Sequence, residues 1–224
     1  MENEEYFSQI KQDYQEAMAY ITEHSAEWVR QLGAKLNEIL AGKVADFGNG
    51  GVIFYDLDNI DELLCVDITN QKTPVTEGKI TYAYGDFYDF DFPSDLDYSL
   101  AQMLLHHLPE DERLDTALRR LNKALGSHGK FVIVEMVMPA YMAFIQNALR
   151  PVINSTLRMM NKPELRFFSF ASLSRTLKKA GFNHLTSHDI EIVGWTAPAP
   201  VLFPKLRTPG WLHPLKCVVI EASS

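Results

Sequence analysis

The sequence predicts an α/β fold built on an open, mostly parallel sheet. Three observations predict it. A short apolar run, Val44, Ala45 and Phe47, passes directly into Gly48, Gly50 and Gly51, which reads as a buried strand ending in a sharp turn that lets something approach the backbone. A second apolar run, Leu63 to Val66, ends in Asp67, 21 positions after Asp46. Apolar strands and amphipathic helices then alternate to the end of the chain. In open α/β sheets ligands bind at the carboxyl ends of the strands, which is where Asp46 and Asp67 fall.

Size and composition point to one ordinary domain. The chain has 224 residues, with 46% hydrophobic and 22% charged content, which are globular values. The first residues are acidic where a secretory segment would be basic, and no apolar run reaches membrane-spanning length. Cys65 and Cys217 each lie in an apolar run, as buried free thiols do. A cytoplasmic protein is expected. The net charge of −8 is unevenly distributed: residues 1–99 hold 20 acids and 6 bases, whereas residues 100–224 hold 9 acids and 15 bases. No basic run interleaved with aromatics suggests a nucleic-acid partner.

Taken in order, residues 4–40 read as two helices, with Tyr6, Ile10, Tyr14, Ala17 and Met18 on one stripe and Trp28, Leu32, Leu36, Ile39 and Leu40 on the next. Gly42 stands where a C-cap glycine belongs. Either the pair covers the sheet, or the first forms a lid with Tyr6 or Tyr14 reaching inward. Counting G-x-G-x-x-G from Gly48 puts Ile53 at the third glycine, so the dinucleotide fingerprint fails and a nicotinamide enzyme is disfavoured. Residues 52–60 are rich in β-branched residues, Asp and Asn, and predict only a short or irregular helix. A carboxylate about 20 residues beyond a glycine turn is placed to accept both hydroxyls of a ribose, which is the role expected of Asp67.

Residues 79–84 alternate as a strand and end in Gly85-Asp86-Phe87. Residues 97–103 form another strand, which enters the turn His106-His107-Leu108-Pro109, followed by a helix from about Glu110 to Leu125. The segment Gly126 to Gly129 closes that helix, and Lys130 to Met136 is a fifth strand carrying Glu135. Residues 139–160 read as one inserted helix, rich in Met and aromatic residues. A helix at 169–180 and strands near 183–193 and 215–221 follow, with a loop between the last two that holds five prolines, Trp195, Phe203 and Trp211. Two cysteines and scattered histidines make no metal site, and there is no G-x-S-x-G elbow.

The run Asp46-x-Gly48-x-Gly50-Gly51 resembles motif I of the class I S-adenosylmethionine-dependent methyltransferases. Asp67, Gly85-Asp86-Phe87 and the His106-His107-Leu108 turn are similar to that family's later motifs, in the same order. The resemblance implies a seven-stranded, mostly parallel doubly wound sheet with an antiparallel last strand and helical N-terminal and inserted caps. It divides the single domain into a lid (1–42), a cofactor core (43–138), a cap (139–168) and a C-terminal part (169–224). It implies S-adenosylmethionine as cofactor and S-adenosylhomocysteine as product, held by Asp46, Gly48, Asn49, Gly50, Asp67, Ile68, Asp86, Phe87, Gln102 and Met103. Val52 departs from the pattern, since the family has a further glycine there.

Methyl transfer needs alignment above all, and an oxygen nucleophile also gains from a base. His106 or His107 is the expected base, with Glu135 the next candidate. The cap carries Arg150, Arg158, Lys162 and Arg166 against Glu164 alone, which suits an apolar or aromatic small acceptor bearing an anionic group. A homodimer, and a binding or regulatory protein of the same fold without transferase activity, both stay open at this stage.

Overall fold

A buried strand must have both faces covered and both edges paired, and the computed structural model meets this with one sheet between two helical layers. It describes residues 26–160, 162–190, 198–199, 203–207 and 216–224. The expected first helix with Tyr6 and Tyr14, and the loop residues Trp195 and Trp211, lie outside the described residues.

Helix α1 (Ala26–Ile39) precedes β1 (Gly42–Phe47), and β2 (Ile60–Asp67) lies parallel to β1 with Asp46 opposite Cys65. Beyond β2 comes β4 (Ile80–Tyr84), also parallel, and the three-residue β3 (Val75–Glu77) closes that edge antiparallel. On the other side of β1 lies β5 (Leu96–Gln102), with Asp46 opposite Leu100, followed by β6 (Leu125–Val137). Last come β10 (Lys216–Ser223), antiparallel to β6, and β7 (His184–Ile190), antiparallel to β10. The order is β3-β4-β2-β1-β5-β6-β10-β7, so the expected sheet is present with one short edge strand added. The strand order reverses between β1 and β5, which opens a crevice at their carboxyl ends. A separate pair, β8 (Pro198–Ala199) with β9 (Phe203–Arg207), sits in the last connection.

Each face of the sheet has its own apolar layer. Helices α2 (Asp111–Ala124) and α5 (Phe170–Lys179) bury Leu114, Leu118, Leu121, Leu173 and Leu177 against Phe131, Ile133 and Ile220. On the opposite face α1 buries Leu32 and Leu36 against Val44, Leu100 and Val219. Under the end of β1, the rings of Phe47, Phe87, Phe90 and Phe92 meet edge to face, with Phe47 and Phe92 5.3 Å apart. The acid-rich and aromatic-rich segment after β4 is thus a small aromatic core.

Three expectations need correction. Residues 51–59 form no helix: they run as turns and irregular chain. Tertiary contacts hold them instead. Asn37 on α1 donates to the Asp56 carboxylate at 2.7 Å and accepts from the Asp56 N–H at 2.8 Å. Gly33 permits the approach, because a Cβ there would overlap the carbonyl oxygen of Phe54. The inserted helix is two helices, α3 (Ala140–Ala148) and α4 (Arg150–Met159), because Pro151 sits in the first turn of the second and cannot continue the first. The segment Gly126 to Gly129 belongs to β6, which starts directly at Leu125.

Replacing Asn37 with Ala removes both bonds that tie the 51–59 segment to α1. The variant should lose about 1–2 kcal/mol of stability in urea denaturation, the range for two solvated hydrogen bonds, and gain a protease-sensitive site within 51–59.

Candidate active site

The turn after β1 fixes the floor of the crevice. Gly48 has φ of 70°, a conformation that favours glycine, and a Cβ at that position would stand 2.7 Å from the Leu104 side chain and displace it. Gly50 donates its N–H to Asp67 Oδ2 at 3.0 Å, and the other carboxylate oxygen accepts from the Thr69 N–H (2.8 Å) and hydroxyl (2.7 Å). Asp67 therefore ties the ends of β1 and β2 together. Asp86 is held by its own turn, where Oδ1 accepts from the Tyr88 N–H at 2.9 Å.

These ends open on a cavity of about 660 Å³. Of the expected cofactor residues, Gly48, Gly50, Asp67, Ile68, Asp86, Phe87, Gln102 and Met103 line it. Phe87 also packs edge-on to Phe47 at 5.4 Å, so it serves the aromatic core and the wall together. Met103 takes a left-handed φ of 52° and is pinned by its N–H to the Val134 carbonyl at 2.8 Å. A non-glycine residue in that region carries strain of about 1–3 kcal/mol, which such a constraint sustains.

Asp46 and Asn49 do not line the cavity. Asp46 has no exposed surface; its Oδ2 accepts from the Tyr55 hydroxyl at 2.9 Å and from Gln102 Nε2 at 3.3 Å, while Oδ1 is buried without a hydrogen-bond partner. The non-helical 51–59 segment brings Tyr55 onto this carboxylate, and that closes it off. Burial pushes the Asp46 carboxyl up to about 7, against the opposing pull of the Tyr55, Asn49 and Gln102 side chains. Burial also holds the Tyr55 hydroxyl protonated well above its ordinary range.

The two histidines lie in the 3₁₀ turn Leu105–His107, their rings 4.1 Å apart. His107 lines the cavity, and burial, followed by the nearby His106 ring, takes its pKa well below the usual imidazole value. His106 is not among the residues that line the cavity; its ring neighbours that of His107, a quarter of its side chain is exposed, and its Nδ1 is 2.9 Å from Glu135 Oε1. Burial lowers the basicity of His106, but the charge and hydrogen bond of Glu135 outweigh it and the net shift is upward. Glu135 is fully buried and also accepts the N–H groups of His106 (3.2 Å) and Met136 (2.9 Å). Its carboxylate is thus turned to His106 and Met136 and is not part of the cavity wall.

The cap supplies the far wall. Arg158 and Lys162 line the cavity with Glu164, which pairs with Arg158 at 3.2 Å. Arg150 and Arg166 turn instead to Asp111 at the start of α2, at 3.5 and 2.6 Å. The sequence reading missed Tyr55, Tyr84, Tyr88 and Arg113, of which the last three line the cavity. Tyr84 stood at the carboxyl end of its strand, a position that could have marked it. Tyr88 and Arg113 meet as a stacked pair at 4.3 Å from distant segments, which no local pattern signals. Among the described residues no group of three or more His, Cys, Asp or Glu side chains could hold a metal ion. No helix of the described residues is long and apolar enough to cross a membrane.

A family model described as O-methyltransferase domain matches residues 32–183. No curated protein matches the chain in sequence. Among solved structures, a candidate O-methyltransferase from Nostoc punctiforme is 17% identical with a TM-score of 0.58, and the alignment covers 97% of this chain and 60% of that one. A chain of the complex between the Haloferax volcanii Trm112 methyltransferase activator and a candidate methyltransferase is 13% identical, TM-score 0.65, with 97% of each chain covered. Human N-acetylserotonin methyltransferase, solved with S-adenosylmethionine, is 13% identical, TM-score 0.57, with 97% of this chain and 56% of the human one covered. At these identities the likeness is one of fold, and the chain spans well under two thirds of the Nostoc and human proteins.

A carboxyl whose folded pKa lies above its ordinary value favours the protonated folded state, so the stability it contributes falls as pH rises from about 4 to about 7 and is level beyond. Unfolding of the ligand-free chain and of Asp46→Asn, followed by urea titration across that range, should show the variant gaining relative to the parent up to about pH 7, with a constant difference above it.

Proposed function

The chain belongs to the O-methyltransferase domain family, and on that premise we propose that it methylates an oxygen of a small apolar or aromatic acceptor bearing an anionic group, with S-adenosylmethionine as the donor. One observation carries the reading: a single cavity has Gly48, Gly50, Asp67 and Asp86 on one side and His107, Arg158 and Lys162 on the other.

The residues present fit the cofactor. Asp67 is 7% exposed at the end of the strand next to the glycine turn and retains acceptor capacity on Oδ2 for a ribose hydroxyl. Asp86 and Phe87 close the side toward β4, suited to an adenine edge and face. When bound, S-adenosylmethionine supplies a methyl group activated by its sulfonium. The chain supplies alignment and a proton acceptor. With Nδ1 committed to Glu135, His106 has Nε2 left to take the acceptor's proton, and the Glu135 carboxylate stabilises the imidazolium that results. His107, held neutral and weakly basic, lines the cavity beside it.

The cap narrows the acceptor. Leu104, Leu108 and Pro109 give the cavity an apolar side. Arg158 and Lys162 are the two cap cations in the wall; Arg158 pairs with Glu164, and Lys162 forms no ion pair with the described residues, which supports an acceptor carboxylate or phenolate beside it.

S-adenosylmethionine and S-adenosylhomocysteine should each raise the melting temperature, while NAD(H) should not; a chain stabilised by neither adenosyl ligand is not this enzyme. With an acceptor found by transfer of a labelled methyl group, His106→Ala should lower kcat about 10²-fold and leave S-adenosylhomocysteine affinity within about twofold. Glu135→Gln withdraws the charge that raises the His106 pKa, so the acid limb of the rate profile should move to lower pH. Lys162→Ala should raise KM for an anionic acceptor about tenfold and leave a neutral analogue unaffected.

A further inference from the structure

We propose that Tyr55, acting through Asp46, sets the amide of Gln102 so that its carbonyl oxygen receives the ammonium group at the amino-acid end of the cofactor. The proposal rests on the reading of the cavity as an S-adenosylmethionine site.

The strand order supports it. Along the carboxyl edge run Asp86 after β4, Asp67 on β2, Gly48 after β1 and Gln102 on β5. An adenosyl group with its base at Asp86 and ribose at Asp67 carries its remaining arm past β1 toward β5, since neighbouring strands are about 4.8 Å apart. Gln102 is the polar residue that β5 ends on. It is 8% exposed and lines the cavity; its Nε2 donates to Asp46, and its Oε1 is buried without a hydrogen-bond partner. A buried acceptor without a partner on a cavity-lining residue calls for a donor, and a primary ammonium supplies one.

The orientation of that amide depends on Asp46. An ionised carboxylate only accepts, which draws Nε2 toward it and leaves Oε1 for the ligand. A protonated carboxyl can donate to Oε1 and so turns the amide round. Tyr55 biases the choice, because its hydroxyl donates to Oδ2 and favours the ionised form. The other titratable groups near this carboxyl are Cys65 and Asp67 on β2, and the negative charge of Asp67 raises its pKa. The face that α1 turns to the same layer is apolar, with Leu32 and Leu36. Asp46 and Tyr55 touch neither substrate nor cofactor here; they position the residue that does.

The test is calorimetric binding of two probes to the full chain: S-adenosylhomocysteine, which has the ammonium, and 5′-methylthioadenosine, which lacks the amino-acid end. Tyr55→Phe should weaken S-adenosylhomocysteine about tenfold, the effect of one charge-assisted hydrogen bond, and leave 5′-methylthioadenosine unchanged. In the parent chain S-adenosylhomocysteine affinity should rise with pH up to about 7 and then level, following ionisation of Asp46. Loss of the tyrosine donor raises the carboxyl pKa, so in Tyr55→Phe that rise should move to higher pH. Gln102→Ala, an independent variant, should abolish both the preference for the amino-acid probe and its pH dependence. Equal weakening of both probes, an unchanged pH profile in Tyr55→Phe, or undiminished S-adenosylhomocysteine affinity in Gln102→Ala overturns the proposal. A parent chain that binds neither probe overturns the cofactor reading itself.

Discussion

The structure depends on a carboxylate buried at the end of its central strand. Asp46 lies in a layer otherwise made of Val44, Leu100, Leu36 and their neighbours, and a charge or hydroxyl there costs several kcal/mol unless it is bonded. Tyr55 from the 51–59 segment and Gln102 from β5 both donate to its Oδ2. The same requirement therefore fixes the loop after the glycine turn and the end of the neighbouring strand. Asp67 does the same one strand over, gathering Gly50 and Thr69 around its two oxygens. The floor of the cavity is held by its acids before any ligand enters.

The two sides of the cavity are built differently. The side at the glycine turn comes from strand ends, each locked by its ladder. The opposite side comes from α4 and the 162–166 segment: Arg150 and Arg166 share Asp111, and the Arg166 N–H donates to the His106 carbonyl at 2.8 Å. That last bond couples the cap backbone to the histidine turn. A change in the cap is thus transmitted to the proposed base through one hydrogen bond, while the side at the glycine turn stays tied to the sheet.

Much of this was legible from the chain alone. The strands ending at Phe47, Asp67 and Tyr84 could be read because each run is closed by a glycine or an acid, and helices α2 and α5 because their leucines repeat at helical spacing. Most of the residues expected at the cofactor line the cavity for the same reason: strand ends converge wherever strands are parallel. What escaped was set by contacts distant in sequence or missed in reading. Nothing near Asp46 announces that a tyrosine nine positions on will fold back over it. Glu135 read as a candidate base because its strand position was visible but its complete burial was not. The break at Pro151 was present in the sequence and was outweighed by the run of apolar residues on either side.

The place of β10 has a consequence for biosynthesis. It is the last strand in chain order, yet it lies between β6 and β7, and β7 has no other partner among the described strands. While residues 216–223 are still inside the ribosome, the long strand β6 presents an unpaired edge and β7 has nothing to join. Synthesis at about 5–20 residues per second makes that interval brief, but the half-built sheet is then open to other nascent chains. The sheet is consequently completed late, when one strand inserts and joins β7 to β6 and the strands beyond it.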